Sequence, residues 1–552
     1  FNCTNIFPET CKDIGVYMKL DYKKTFYVGL AFFIITIFWQ TYDNIIAKIM
    51  IDKFGLNQTA SGVVMALDNM LALFMLPLFG ALSDRTNHKR GRRTPYIIVG
   101  TVVAAFAFMG LSLMDNIQTK RIEQTEIIGL YTEYRESDVR RLETFWDDLL
   151  VDMRTERQAK LTSGAINQAT FDKWENQTES KILAILNDNV GPELDVGDLA
   201  FLNDYYQTYL SQLAWEETVK NPVNFVIFIT TLLIALVAMS VFRSPAVSLM
   251  PDVTLKPLRS KANAIINLMG AAAGTTSLIL LTVLGLDGKS YVHYTAAFVA
   301  VGAIMLIVLI IFLWKVKEPK LVALNQEEMK QFDLTEDEEE EESGTQLPKD
   351  KRLSLILILA SVFLWFMGYN AVISKVSDYV PHVLRISSFT MPLLVANVTA
   401  IIAFIPIGII STKIGRKKSI LIGVVLLTLC FGSAAFVNEN TGWIMYIVFG
   451  LTGIGWATIN VNSYPMVVEL AKGSNVGRYT GYYYTFSMAA QILTPILSGI
   501  FMDYVFKTRL VLFPYAAIFV GLSFITMFFT KHGDAEFVER KGLLESFDVD
   551  MD

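Results

Sequence analysis

The sequence predicts an all-α membrane protein, a bundle of about twelve membrane-crossing helices in two six-helix halves, with a soluble helical domain inserted between the third and fourth. Three observations predict it. Of the 552 residues 53% are hydrophobic, 12% aromatic and only 18% charged, which is too apolar for a soluble chain of this length. Long apolar runs recur, joined by short loops rich in Lys and Arg. The runs are broken once by a polar, acidic stretch at 115–220 and again by a polar connector at 315–352.

Residues 1–23 form a polar lead, and Pro8, Lys12 and Asp13 within it do not read as a cleavable signal peptide. The first block of spans, 24–114, holds span one (Thr25 to Met50), span two (about Thr59 to Leu82) and span three, opened by Pro95 and ending near Met114. Each approaches the 20 or so apolar residues that cross a bilayer, and Pro is well tolerated in a first helical turn. The stretch 115–220 has instead an amphipathic pattern. Ile127, Ile128, Tyr131 and Tyr134, then Leu142, Phe145, Trp146, Leu149, Leu150 and Met153, recur at intervals of three and four. That spacing predicts one or two helices over 123–160, another through Phe171, Trp174, Ile182, Leu183 and Leu186, and a last one over 199–215.

Spans four to six fill 221–314, beginning at Pro222. The segment 315–352 is a polar, acidic linker, and its run 336–342 is expected to be solvated and disordered. Six further spans fill 353–530, and 531–552 is a polar tail. Cys3, Cys11 and Cys430 have neither metal-site nor disulfide-framework spacing. Metal ligands, phosphate-cradling loops and a nucleophile with its base are missing from the pattern, so neither an enzyme, a cofactor nor a nucleic-acid partner is expected.

The basic loops fix orientation. Gly80-Ala-Leu-Ser-Asp84-Arg85-Thr-Asn-His88-Lys89-Arg90-Gly91-Arg92-Arg93 joins spans two and three. A short, strongly basic turn faces the cytoplasm, which puts both termini and the connector inside and the insert outside; with no sorting signal evident, the membrane is expected to be a cell's inner (plasma) membrane. Asp84 is placed to pair with a cation of the turn or to cap a helix end.

An internal repeat relates the halves. The loop at Gly80–Arg93 matches Gly408–Lys418, which contains Lys413, Gly415, Arg416, Lys417 and Lys418. Ser244-Pro245 to Arg259 matches Tyr464-Pro465 to Arg478, and Phe38-Trp39-Gln40-Thr-Tyr42-Asp43-Asn44 matches Leu364-Trp365-Phe-Met-Gly-Tyr369-Asn370. Parallel six-helix repeats are the plan of alternating-access transporters, with the substrate site near the membrane midplane between them.

Gly80-x-x-x-Asp84-Arg85 with Gly91-Arg92-Arg93 resembles the loop signature of the major facilitator superfamily. The fuller string Ser83-Asp84-Arg85-Thr with Arg90-Gly91-Arg92-Arg93-x-Pro95 is similar to the sugar:cation symporters, both the glycoside-pentoside-hexuronide group and the sucrose:proton symporters. The resemblance covers the spans and leaves out 115–220. It implies a major-facilitator-type bundle that moves a sugar or glycoside by alternating access, driven by a proton or by sodium. Melibiose-permease-like proteins carry cation-binding acids low in span two; here those positions, near Ala72 and Leu76, are apolar.

Ionisable groups inside spans are costly and are functional candidates. Asp43 of span one and Asp68 of span two are the candidate coupling carboxylates. Arg243 of span four corresponds, by the resemblance, to a sucrose-symporter arginine that serves sugar binding and proton coupling. Each has a plainer reading: Asp43 as an interfacial residue, Asp68 as a structural hydrogen-bonding group, and Arg243 as a cation snorkelling to headgroups. Depth along the spans places Arg243 inward of both aspartates. A sugar calls for flat aromatic faces and amides. Trp39, Gln40, Tyr42 and Asn44 in span one and Trp365, Tyr369 and Asn370 in span seven offer both, followed by Asn263, Asn267, Asn460, Asn462, Tyr483 and Gln491. Polar residues in spans also glue helices together, so packing is the competing explanation for each. The expected partners are a small sugar and membrane lipid, with the protein a monomer. Export, uncoupled passage, and sensing through the insert are the alternative functions.

Overall fold

The computed structural model describes residues 20–136, 143–188, 196–255, 258–331, 348–386, 388–468, 470 and 476–533. The first half contains α1 (Tyr22–Lys48), α2 (Gln58–Asp84), α3 (Thr94–Ile122), α9 (Val223–Asp252), α10 (Arg259–Val283) and α11 (Thr295–Lys315). The insert contains α4 (Ile127–Glu136), α5 (Glu143–Thr162), α6 (Gln168–Trp174), α7 (Ser180–Asp188) and α8 (Val196–Lys220). After α12 (Glu318–Gln331), the second half contains α13 (Lys349–Val383), α14 (Thr390–Ile414), α15 (Arg416–Ala434), α16 (Ile444–Val468), α17 (Val476–Ile500) and α18 (Leu512–Phe528). Short π-helical turns extend α1 through Ile49–Lys53 and α17 through Phe501–Val505.

Among the described residues, 11 helices are long and apolar enough to cross a membrane. The remaining expected span is α14, 25 residues long, whose sequence runs apolar past Thr390–Phe404 through Ile-Pro-Ile-Gly-Ile-Ile to 410. Three separate apolar clusters are buried. One lies in the first half around Phe38, Phe108, Phe228 and Phe242, and one in the second half around Trp365, Phe431 and Phe513. The third, around Trp146, Tyr206, Leu202 and Ile182, gives the insert a core of its own. Tyr134 stacks on Tyr206 with ring centroids 4.0 Å apart at that core's centre.

Two boundaries differ from those expected. Helix α3 runs to Ile122, so 115–122 continues span three. Asp115 does not break the helix because it is fully buried against Lys53, where its charge is paired. The connector opens with a helix, α12, because Glu318 is buried against the first basic loop. The acidic run 336–342 lies outside the described residues.

One turn shows why the insert sits where it does. Gly55, between α1 and α2, has φ 71. A Cβ there would lie 2.2 Å from the backbone nitrogen of Trp215 and 2.3 Å from the carbonyl oxygen of Ser211. The turn therefore needs both the left-handed conformation and the missing side chain that glycine supplies, and through it α8 docks directly on the ends of α1 and α2.

Candidate functional site

The two ends of the bundle differ. Among the described residues, every hydrogen bond joining the first half or the insert to the second half lies at the insert end. Thr282 and Thr390 hydroxyls meet at 2.7 Å, Ser290 Oγ and His382 Nε2 at 2.9 Å, and Lys375 Nζ donates to the Gln58 carbonyl at 2.8 Å. At the opposite end, the basic loops bind back into their own halves. Arg93 Nη2 pairs with Asp84 at 2.5 Å and its Nε with Asp252 at 2.9 Å, while Arg92 Nη2 pairs with Asp252 at 2.7 Å. Glu318 accepts from the backbone of Arg93 at 2.9 Å and of Thr94 at 2.7 Å, and Gly91 (φ 103) lets the loop pass over that carboxylate. Gly80 gives Ser244 its room, since a Cβ would lie 3.0 Å from that hydroxyl. Arg85 and Arg90 stay exposed. In the second half Gly415 (φ 93) makes the turn, Arg416 reaches the Pro465 carbonyl at 3.4 Å, and Lys417 reaches those of Phe528 and Thr530 at 2.9 and 2.6 Å. The two loops thus repeat a plan in which each is anchored near the end of the fourth helix of its half.

Between the ends, the structure brings the candidate carboxylates together. Asp43 and Asp68 are within electrostatic reach of one another, with the buried Tyr42 hydroxyl near both. Asp68 is also within electrostatic reach of Arg243, and Arg243 within that of Tyr484 of α17. At a 1.5 Å rise per residue both aspartates sit about 15 Å from the insert end of their helices. Asp68 accepts from Asn69 Nδ2 at 2.8 Å. Asp43 and Arg243 have neither a hydrogen bond nor an ion pair among the described residues, and Asp68 has no direct ion pair. The arrangement is a line of ionisable and phenolic groups running from α1 and α2 through α9 to α17, across the two halves.

The aromatic and amide candidates divide. Tyr42 and Trp365 are fully buried in their half's core, and Asn44 donates to the Gln40 carbonyl at 2.6 Å. Trp39 is partly exposed, Gln40 approaches Gly274 of α10, and Tyr369 stacks flat on Trp456 at 3.7 Å. Trp39 Nε1, Trp365 Nε1, Asn370 Nδ2 and Asn44 Oδ1 are buried without a hydrogen-bond partner. Asn462, Tyr483 and Gln491 are bonded inside the second half, and Asn263, Asn267 and Asn460 are exposed.

A larger set of buried charges at the insert end was missed by the sequence reading. Lys48 pairs with Asp52 at 2.9 Å, Lys53 with Asp115, and Arg509 with both Asp378 and Asp204 at 2.8 and 2.7 Å. His382 Nδ1 meets Asp378 at 2.8 Å and its Nε2 faces Asp52 at 3.5 Å. These residues fall at span ends, where charge is ordinary in a sequence; only the tertiary structure shows that they are buried and face one another. Asp52, Asp378 and His382 offer ligand atoms within 4.8 Å of one another. Lys48, Arg509 and Ser290 already engage them, and an ammonium and a guanidinium beside the carboxylates do the work a cation would do.

The sequence profile of the Major Facilitator Superfamily matches residues 210–438 and 384–545, and that of the MFS/sugar transport proteins matches 27–120. No curated protein sequence matches the chain. A bacterial homologue of the iron transporter ferroportin, in an inward-facing state, is similar in fold, with TM-score 0.55, 11% identity and coverage of 92% of this chain and 99% of its own. The xylose transporter XylE from E. coli, inward open, gives TM-score 0.54, 12% identity and coverage of 95% and 98%. A D-xylose-proton symporter gives TM-score 0.52, 12% identity and coverage of 92% and 98%.

Proposed function

The chain belongs to the major facilitator superfamily, a transporter and not an enzyme, and from that premise we propose that it is a proton-coupled symporter of a sugar or glycoside. The observation that carries this reading is the line Asp43–Asp68–Arg243–Tyr484 across the two halves. A carboxylate beside an arginine takes up or releases a proton as the pair forms or breaks, and a line that spans both halves is remade whenever they rock. Asp43 and Asp68 carry the proton. Arg243 holds a substrate hydroxyl when Asp68 is neutral and swings to Asp68 when it is charged.

The sugar assignment rests on the neighbouring groups. Trp39 and the Tyr369–Trp456 stack supply flat apolar faces, and the unpartnered Asn370 amide and Trp39 indole supply hydrogen-bond donors. Buried donors left without partners are costly, and a polyol would satisfy them. The match to the MFS/sugar transport profile over 27–120 supports the same class. In this reading the short basic loops face the cytoplasm, with both termini inside the plasma membrane and the insert outside, as such loops favour. The structure, sealed at the insert end, is then the state open to the cytoplasm.

The test is uptake of radiolabelled mono- and disaccharides into proteoliposomes. Saturable entry of at least one sugar, competed by its unlabelled form, is the expected result. Entry of none would remove the sugar assignment and leave the bare transporter.

A further inference from the structure

Among the described residues, the insert reaches the second half from α4, whose Tyr134 and Arg135 carbonyls accept from Arg385 Nη2 at 3.2 and 2.6 Å, and, more deeply buried, from α8. Asp204 and Gln207 project from α8, which is joined covalently to the first half through α3 and α9. Asp204 accepts from the Arg509 backbone at 2.9 Å and from its guanidinium at 2.7 Å, and Thr208 accepts from the same Nη1 at 2.9 Å. The other edge of that guanidinium donates to Asp378 of α13 at 2.8 Å. Asn203 donates to the Val383 carbonyl at 3.2 Å and accepts from Tyr134 at 2.7 Å, which ties the contact to the insert's core. Gln207 turns to the first half and donates to Asp52 at 3.3 Å. Asn203, Asp204, Gln207 and Arg509 are each at most 5% exposed. One turn of helix therefore grips both halves at the end where they are sealed.

We propose that α8 of the insert is the pin of this seal, with Asp204 and Arg509 its positioning residues: the insert-side mouth opens only when Arg509 leaves Asp204. The inference rests on the alternating-access reading above and adds the insert to its moving parts. Arg509 and Asp378 both belong to the second half, so separating the halves there must take them away from α8 together and leave Asp204 without its guanidinium. A buried ion is expensive to leave unpaired, so the pin biases the protein towards the state closed at the insert end and makes its release a step of the cycle. The insert then sets how readily the transporter opens, and it would do so for any substrate.

The test reads the mouth directly, without a substrate. With Cys3, Cys11 and Cys430 replaced, spin labels at Lys289 and Phe436, on exposed positions of the two halves at the insert end, report their separation by pulsed electron resonance in nanodiscs. The pinned protein should give one short distance. Asp204→Asn should add a longer population, raising the open-to-closed ratio at least about tenfold, and Asp204→Glu should restore the short distance. Asn203→Ala, which removes neutral hydrogen bonds, and Gln207→Ala, which removes one to the Asp52 carboxylate, should shift the ratio in the same direction by less; they decide the matter if Asp204→Asn does not fold. Folded variants whose distances all match the parent would overturn the pin, whatever the protein transports. A shifted mouth with no sugar uptake would leave the pin standing and remove the sugar assignment.

Discussion

Asp503, in the π-helical turn that extends α17, caps the first turn of α2 in the opposite half, accepting from the Thr59 backbone and hydroxyl at 2.6 Å each and from the Gln58 backbone at 3.2 Å. Asp287, just past α10, does the reciprocal thing for α14, accepting from the backbones of Phe389 at 2.9 Å and Thr390 at 3.2 Å. Helices α10 and α17 hold the same place in the two halves, as do α2 and α14. The seal therefore includes two helix caps exchanged between the halves, and a carboxylate at a helix N-terminus also favours the helix dipole. Asp503→Ala and Asp287→Ala should each lower stability by about 1 kcal/mol, seen as a lower melting temperature in detergent. Unchanged melting in both would mean that the caps do not contribute to the seal.

Lys53 and Asp115 form a buried pair, supported by Thr119 at 2.8 Å and the Val292 carbonyl at 2.6 Å. Lys53→Met leaves Asp115 unpaired and should cost about 3–5 kcal/mol. Lys53→Met with Asp115→Leu removes both charges and should recover most of that loss. A double variant as unstable as the single would contradict the pairing.

Gly55→Ala places a methyl group against the α8 backbone and forces a left-handed conformation on a residue that resists it. It should loosen the insert, which limited proteolysis would detect as faster cleavage within 127–220, while the transmembrane core stays resistant. Equal cleavage rates would contradict the docking through this turn.

The spans and the repeat were legible in the sequence because apolar length and basic turns are local signals, and so was the insert, whose helical stripe is local too. The nearness of Arg243 to Asp68, within electrostatic reach but without a direct ion pair, was harder. Counted along the spans, Arg243 lies deeper than Asp68, so depth alone does not set them near one another. The exchanged caps of Asp287 and Asp503, the buried pair of Lys53 and Asp115, and the pin of Asp204 on Arg509 were not legible. Each joins residues far apart in sequence, and each member taken alone is an ordinary charge at a helix end. The burial of Glu318 against the first basic loop was not legible for the same reason, since a glutamate reads as solvated until the loop it binds is in place.

The insert also has a pH signature. Burial, and then the charges of Glu156 and Asp152, push the Tyr209 phenol from its ordinary 10.0 up to about 12. A raised value means that the folded insert favours the neutral phenol, so this contribution to stability is complete below about pH 10 and is lost as pH rises through 12. Tyr209→Phe should remove a late component from the ultraviolet titration of tyrosinate and hold the insert's helices to higher pH by circular dichroism. An unaltered titration would contradict the assignment.

The most direct test of proton coupling uses proteoliposomes with an imposed inward proton gradient, then a sodium gradient, then neither, for the parent and for Asp43→Asn and Asp68→Asn. The parent should accumulate a sugar above its outside concentration only with the proton gradient. At least one of the two variants should lose accumulation while still exchanging labelled for unlabelled sugar across the membrane. Gradient-driven accumulation that survives in both variants would contradict the role given to the Asp43–Asp68–Arg243 line.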